Sequence, residues 1–189
     1  MGKNGIFCLE GLWDDDLRKQ PTVEPALSLL KRINDVPYIH RDCATPEEFA
    51  FYIKKWVQKK YKGYPILYLA FHGVNGRICI SKGGYDLDEV GDLLSGKCKG
   101  TVIVIGACNT LNIDKRHLNR FLGKTGALAV CGYKTKVDWI PSTAFELLLL
   151  DTLQENKFDG RGIASIKSKV KNLATSFKDL DFRLISLKD

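Results

Sequence analysis

Two residues in this chain of 189 stand where a side chain can do chemistry. His72 directly follows the apolar run "ILYLAF" and directly precedes Gly73. Cys108 holds the analogous place after a second apolar run, "TVIVIGA". A thiolate that attacks a carbonyl carbon and an imidazole that moves protons form a nucleophilic pair. The small neighbours suit that chemistry. Gly73 lets the backbone come close to a substrate, and the N–H groups of Gly73 and Cys108 would supply two donors to an oxyanion. Gly106 and Ala107 leave room beside the thiol. Taken singly, each feature has a plain structural reading: a cysteine at a strand end packs as a small hydrophobe, and a histidine before glycine marks a turn. Only convergence of the two in space makes a site.

The elements that must bring them together alternate along the chain. Strands are expected at "GIFCLEGL", "PYIHR", "PILYLAF", "GTVIVIGA", "ALAVCGY" and "FRLIS", the last at a sheet edge. Continuous apolar, β-branched runs such as "TVIVIG" suit strands buried on both faces. Helices are expected at "TVEPALSLLKRI", "TPEEFAFYIKKWVQKKY", "YDLDEVGDLLSG", "DKRHLNRFLG", "PSTAFELLLLDTLQEN" and "IASIKSKVKNLATSF", with Gly96 and Gly123 as stops for the third and fourth. Thr45 followed by Pro46 and two acids is a helix start, with lysines late where the dipole favours them. Asn75-Gly76 within "VNGRICI" predicts a small hairpin. Strands alternating with helices predict an α/β fold: a mostly parallel central sheet with helices on both faces, an α/β/α sandwich. A right-handed crossover containing the hairpin and one helix would set the strand before His72 beside the strand before Cys108. Ligands bind at the carboxyl ends of strands in such sheets, so the loops after "LYLAF", "VIVIG" and "ALAVCGY" are the places to look.

Composition excludes several classes. Hydrophobic residues make 44% and charged residues 27% of the chain, a globular balance without low-complexity tracts or repeats. One domain over residues 1–189 is expected. No apolar run is long enough to span a bilayer, the N-terminus carries no secretory pattern, and Ile6 stands where a myristoylation signal needs Ser or Thr. A cytoplasmic protein with no membrane partner is expected. The net charge is +7, but the lysines in "KKWVQKK" and "KSKVKN" interleave with core positions, which argues for solvated helix faces over a nucleic-acid footprint. Six cysteines include no C-x-x-C pair, so no metal is expected. Cys8, Cys79 and Cys131 fall in strands, and Cys43 and Cys98 in polar connections. His40 reads as part of an edge strand with Arg41 and Asp42. His117 reads as exposed on a charged helix.

"LYLAFHG" followed by "VIVIGACNT" resembles the caspase-like (clan CD) cysteine peptidases, which include caspases, separases, gingipains and bacterial CHAT domains. The shared pattern is an apolar strand ending in His-Gly, then one ending in Ala-Cys. Thr110, two after Cys108, is nearer to CHAT domains; caspases have Gln before Ala-Cys and Arg-Gly after it, where this chain has Gly106, Asn109 and Thr110. The order "GALAVCGY", "VDW", "STAFELLLLDTLQENK" and "IASIKSKVKNLA" continues the likeness over residues 5–187. The resemblance implies an endopeptidase without metal or cofactor, with a peptide or protein as substrate. Cys108 is its nucleophile and His72 protonates the leaving amine. It also implies a separate activating partner and a setting in bacterial stress or defence.

In these relatives a pocket for the residue before the scissile bond sets specificity. Here its walls would be "WDDDLRK", Gly106 and Ala107, and "KTKVDW". Asp138 beside that pocket would favour Arg or Lys. Trp139 would wall it or anchor the core. Asp14, Asp15 and Asp16 read as a solvated loop and helix cap. Two other classes stay open: a catalytically silent regulatory subunit of the same fold, against which both reactive residues stand, and a nucleotide-binding protein. For the latter no G-x-G-x-x-G follows the first strand, and "GKCKGT" misses the phosphate-loop spacing.

Overall fold

The computed structural model describes residues 2–187; residues 1, 188 and 189 of the expected domain lie outside the described residues. Six strands form the central sheet: β1 (Ile6–Gly11), β2 (Tyr38–Cys43), β3 (Ile66–Ala70), β7 (Val102–Gly106), β8 (Ala129–Tyr133) and β9 (Phe182–Ser186). Their order is β2-β1-β3-β7-β8-β9. All pairings are parallel except that of β9, which runs antiparallel at the edge. The chain starts in the middle, extends to one edge with β2, then returns across β1 to build the other side. That reversal between β1 and β3 opens a crevice at the carboxyl ends of the strands.

The uninterrupted apolar runs still obey the strand period of two. Leu67, Leu69 and Phe71 face one core layer, while Ile66, Tyr68 and Ala70 face the other. The first layer is closed by α2 (Pro46–Trp56), α3 (Leu87–Leu93) and α4 (Lys115–Thr125). The second is closed by α1 (Glu24–Asn34), α5 (Trp139–Thr152) and α6 (Gly160–Ala174). Thr45 caps α2 through the amide of Glu48, whose carboxylate returns to the Thr45 amide, so two otherwise orphaned donors are satisfied.

Several details depart from the sequence reading. The hairpin at Asn75-Gly76 exists, but it belongs to a three-stranded antiparallel sheet of β4 (His72–Val74), β5 (Arg77–Ile80) and β6 (Gly83–Asp86). The third strand escaped notice because "GGYD" carries no apolar alternation. Helix α4 runs past Gly123 and stops at Gly126, whose φ of 78° gives the left-handed cap. Helix α5 begins two residues before Pro141, so Trp139 lies in its first turn. Cys43 and Cys98 are fully buried rather than set in polar connections. His117 is half-buried and meets Asp88 at 2.9 Å.

Candidate active site

Strands β3 and β7 pair so that Ile66 lies opposite Val102 and Ala70 opposite Gly106, an offset of 36 positions. The same offset separates His72 from Cys108. Both residues therefore leave the sheet from matching places on adjacent strands, and both line one cavity of about 240 Å³. The Phe71 amide still donates to the Gly106 carbonyl at 3.3 Å, and beyond it the chains part.

The turn that carries Cys108 is held from all sides. Asn109 adopts a φ of 55°, a left-handed conformation that asparagine tolerates better than most residues. Its amide donates to Thr135 O at 3.0 Å, and the Leu111 amide donates to Tyr133 O at 3.0 Å. The hydroxyl of the fully buried Thr110 lies 3.3 Å from the carbonyls of Cys108 and Arg77. Gly73 lies directly against this turn. A Cβ there would come within 2.2 Å of Thr110 Oγ1 and 2.7 Å of Cys108 O, so only glycine lets β4 approach the Cys108 turn. Ala107 is buried beneath Gly73 and stands outside the cavity lining; Gly106 is part of it. The Val137 amide donates to Cys108 Sγ at 3.4 Å and ties the thiol to the loop after β8.

His72 is exposed, and its Nε2 lies 3.0 Å from Trp13 O. A carbonyl only accepts, so Nε2 carries the proton in this arrangement. The Trp13 ring stands edge-on to His72 at 5.1 Å and to Trp139 at 4.7 Å between centroids. Trp13 is in turn held by Glu10, a buried acid near the end of β1 that accepts its indole N–H at 2.5 Å. Glu10 also accepts from the Thr22 hydroxyl at 2.7 Å and the Val23 amide at 2.9 Å, and it pairs with His40 at 2.6 Å. Burial works to raise the Glu10 carboxyl, but His40, Trp13, Thr22 and Val23 outweigh it and hold it below its ordinary value. Burial likewise works to lower His40, and the hydrogen bond and charge of Glu10 outweigh it and hold the imidazole raised. One carboxylate thus closes the loop between β1 and α1 at both ends.

The remaining cavity wall is formed by Lys136, Val137, Asp138, Trp139, Ser142 and Glu146, with Tyr133 behind. Asp138 is exposed at the rim, where it is the N-cap residue of α5 without a side-chain cap bond. Glu146 is only 6% exposed. Tyr68 donates to its Oε2 at 2.5 Å and Tyr133 to its Oε1 at 2.9 Å. Burial pushes the Glu146 carboxyl up to about 7 against the lowering effect of these two phenols. Asp14 is paired with Lys19 and Asp16 with Arg18, both in solvent, and none of the three acids 14–16 caps a helix. Asp14 and Asp15 instead border a separate groove on the other side of His72, with Cys79 and Lys82.

The residues singled out from the sequence that line this cavity are Cys108, His72, Gly106, Asp138 and Trp139, with Trp13 from the expected wall segment "WDDDLRK"; Gly73 packs against the Cys108 turn, and Glu10 and Glu146 were missed. The signal for Glu146 was present: it is a lone acid inside the apolar helix run "AFELLLL".

The mostly parallel six-stranded sheet, with helices on both faces and a cleft at its carboxyl edge, matches a caspase-like fold. Caspase-1 from Spodoptera frugiperda, a solved structure, matches with a TM-score of 0.60 and 12% identity over 98% of this chain and 88% of that one; at that identity the likeness shows the fold. The chain belongs to DUF6642, a family described as one of unknown function, whose profile matches residues 3–185. No curated protein sequence matches it. Among the described residues, no helix is long and apolar enough to cross a membrane.

Proposed function

We propose that this protein is a cysteine peptidase acting through Cys108 and His72. The observation that carries the reading is the shared offset of β3 and β7, which sets both residues on one cavity. Cys108 Sγ attacks the scissile carbonyl carbon, and its proton passes to His72. With Nε2 held by Trp13 O, Nδ1 is the nitrogen that takes and returns the proton. The carbonyl electrons move onto oxygen, which the Gly73 and Cys108 N–H groups stabilise. The C–N bond then breaks as His72 protonates the departing amine, leaving a thioester on Cys108. Water attacks the thioester, the C–S bond breaks, and the thiol recovers its proton. Asp138 at the rim supports a preference for basic residues before the scissile bond. The sequence Ala107-Cys108-Asn109-Thr110 supports a CHAT-type relationship and, with it, activation by a protein partner in bacterial defence.

Alkylation with an iodoacetamide probe, mapped by mass spectrometry, tests this. Cys8, Cys43, Cys98 and Cys131 are buried, and burial pushes all four thiols up, Cys43 and Cys98 to about 12. Cys79 is half-buried like Cys108 and serves as the internal control. Cys108 should label first, because thiolate fraction and access govern alkylation. His72→Ala should slow Cys108 but not Cys79, which lies across the strand pair from His72 and can only gain access when the imidazole is removed. Equal rates at Cys79 and Cys108 in both proteins would overturn the dyad.

A further inference from the structure

We propose that Glu146, on α5, is the specificity-determining residue of this site: its carboxylate forms the floor of the cavity beside Cys108 and receives the guanidinium of an arginine side chain. The proposal rests on the peptidase reading and assigns the substrate class of that site.

A carboxylate buried among apolar neighbours costs several kcal/mol unless a partner compensates it. Among the described residues the polar contacts of Glu146 are the phenols of Tyr68 and Tyr133, with no cation. Replacing the acid by leucine would leave the buried Tyr68 and Tyr133 hydroxyls without this acceptor, but a neutral amide could pair with both phenols, so they do not by themselves call for a charge. Each carboxylate oxygen accepts one phenol, and each keeps a further acceptor site. Two such sites on one planar carboxylate match the two parallel N–H groups of a guanidinium fork, which a lysine ammonium cannot match.

The approach to the carboxylate is kept open by Gly106. A Cβ at that position would come within 2.9 Å of Glu146 Oε1 and 2.9 Å of Tyr68 Cε2. The residue two before the nucleophile therefore has no side chain where one would separate cavity from acid. The flanking walls suit the rest of an arginine. Trp13 and Trp139 offer aromatic surface to the aliphatic stem and the guanidinium plane. Asp138 is exposed at the rim, where a charge is screened and discriminates less.

The test compares peptidyl acyloxymethyl ketones carrying arginine, lysine or norleucine next to the reactive group, with Cys108 modification followed by intact mass. In the wild-type protein the order should be arginine, lysine, norleucine. Glu146→Gln should slow the arginine probe by roughly a hundredfold, the scale of neutralising one partner of a buried charge pair. It should leave the norleucine probe within about threefold, since a merely structural role would slow all three probes together. Asp138→Asn, which removes a screened rim charge, should slow the arginine and lysine probes alike by a smaller factor and keep arginine ahead of lysine. A norleucine preference in wild type, or an equal loss for all probes in Glu146→Gln, overturns the assignment while leaving the peptidase reading intact. A second measurement needs no reaction. Calorimetry on Cys108→Ala should show binding of n-butylguanidinium, none of the neutral n-butylurea, and loss of the guanidinium signal on adding Glu146→Gln. Guanidinium binding without alkylation by any probe would sustain the pocket and sink the peptidase. Absence of guanidinium binding would overturn the assignment.

Discussion

A methyl group on Gly73 would lie 2.7 Å from the Cys108 carbonyl, a backbone atom that cannot rotate away. Thr110 below is fully buried, so its hydroxyl has little freedom to yield. Gly73→Ala must therefore push β4 off the turn that carries Cys108. The expected cost is about 1–3 kcal/mol, the range for overpacking a tight contact. Cys108 labelling should fall with it while Cys79 labelling holds. Denaturant melts and mapped alkylation of the same sample check both halves. Unchanged stability would mean that the close approach of β4 is not needed for the fold.

Strand ends, not whole strands, organise the site. Glu10 near the end of β1 reaches the loop through Trp13, the start of the next helix through Thr22 and Val23, and the edge strand β2 through His40. Trp13 in turn holds His72 through its carbonyl. Glu10→Gln keeps the shape but turns one acceptor into a donor facing donors. The expected loss is roughly 2 kcal/mol, the scale of a broken buried hydrogen bond. Tryptophan fluorescence should shift as Trp13 loses its indole partner, and Cys108 labelling should become less sensitive to His72→Ala. If fluorescence and labelling stay as in wild type, the loop is ordered by its apolar contacts alone.

Over the whole molecule, one buried and one half-buried group give stability the same slope with pH. The Glu146 carboxyl rises from 4.5 to about 7 on folding. Folded protein then holds more protons than unfolded protein through that window, so this contribution is present below pH 4.5 and is lost as pH rises through about 7. Its size is on the order of 3 kcal/mol. His40 is raised above 6.5 by Glu10, so its contribution is also present at lower pH and is lost above that value. Glu10 itself is held low and loses its contribution only in stronger acid. The melting temperature should thus be higher near about pH 5 than near about pH 8. Glu146→Gln should flatten most of that slope, whereas His40→Gln should remove only the part above pH 6.5. A flat wild-type profile would contradict the burial of Glu146.

The placement of His72 beside Cys108 and the scaffold that sets it were legible in the residues because they depend on local order. Apolar β-branched runs make buried strands, and the helices between them force parallel pairing, so a histidine and a cysteine at equal offsets emerge together. What lines the cavity is decided by packing across layers. Glu146 lies on the element after β8, and only the seating of α5 against β3 and β8 brings it under Gly106 between Tyr68 and Tyr133. Glu10 and His40 are likewise far apart in sequence and meet because β1 and β2 pair with Cys8 opposite His40. Sequence periodicity reports which face a residue takes along its own element. Which buried acids meet which cavity depends on how two elements sit against each other, and that was settled by the tertiary structure.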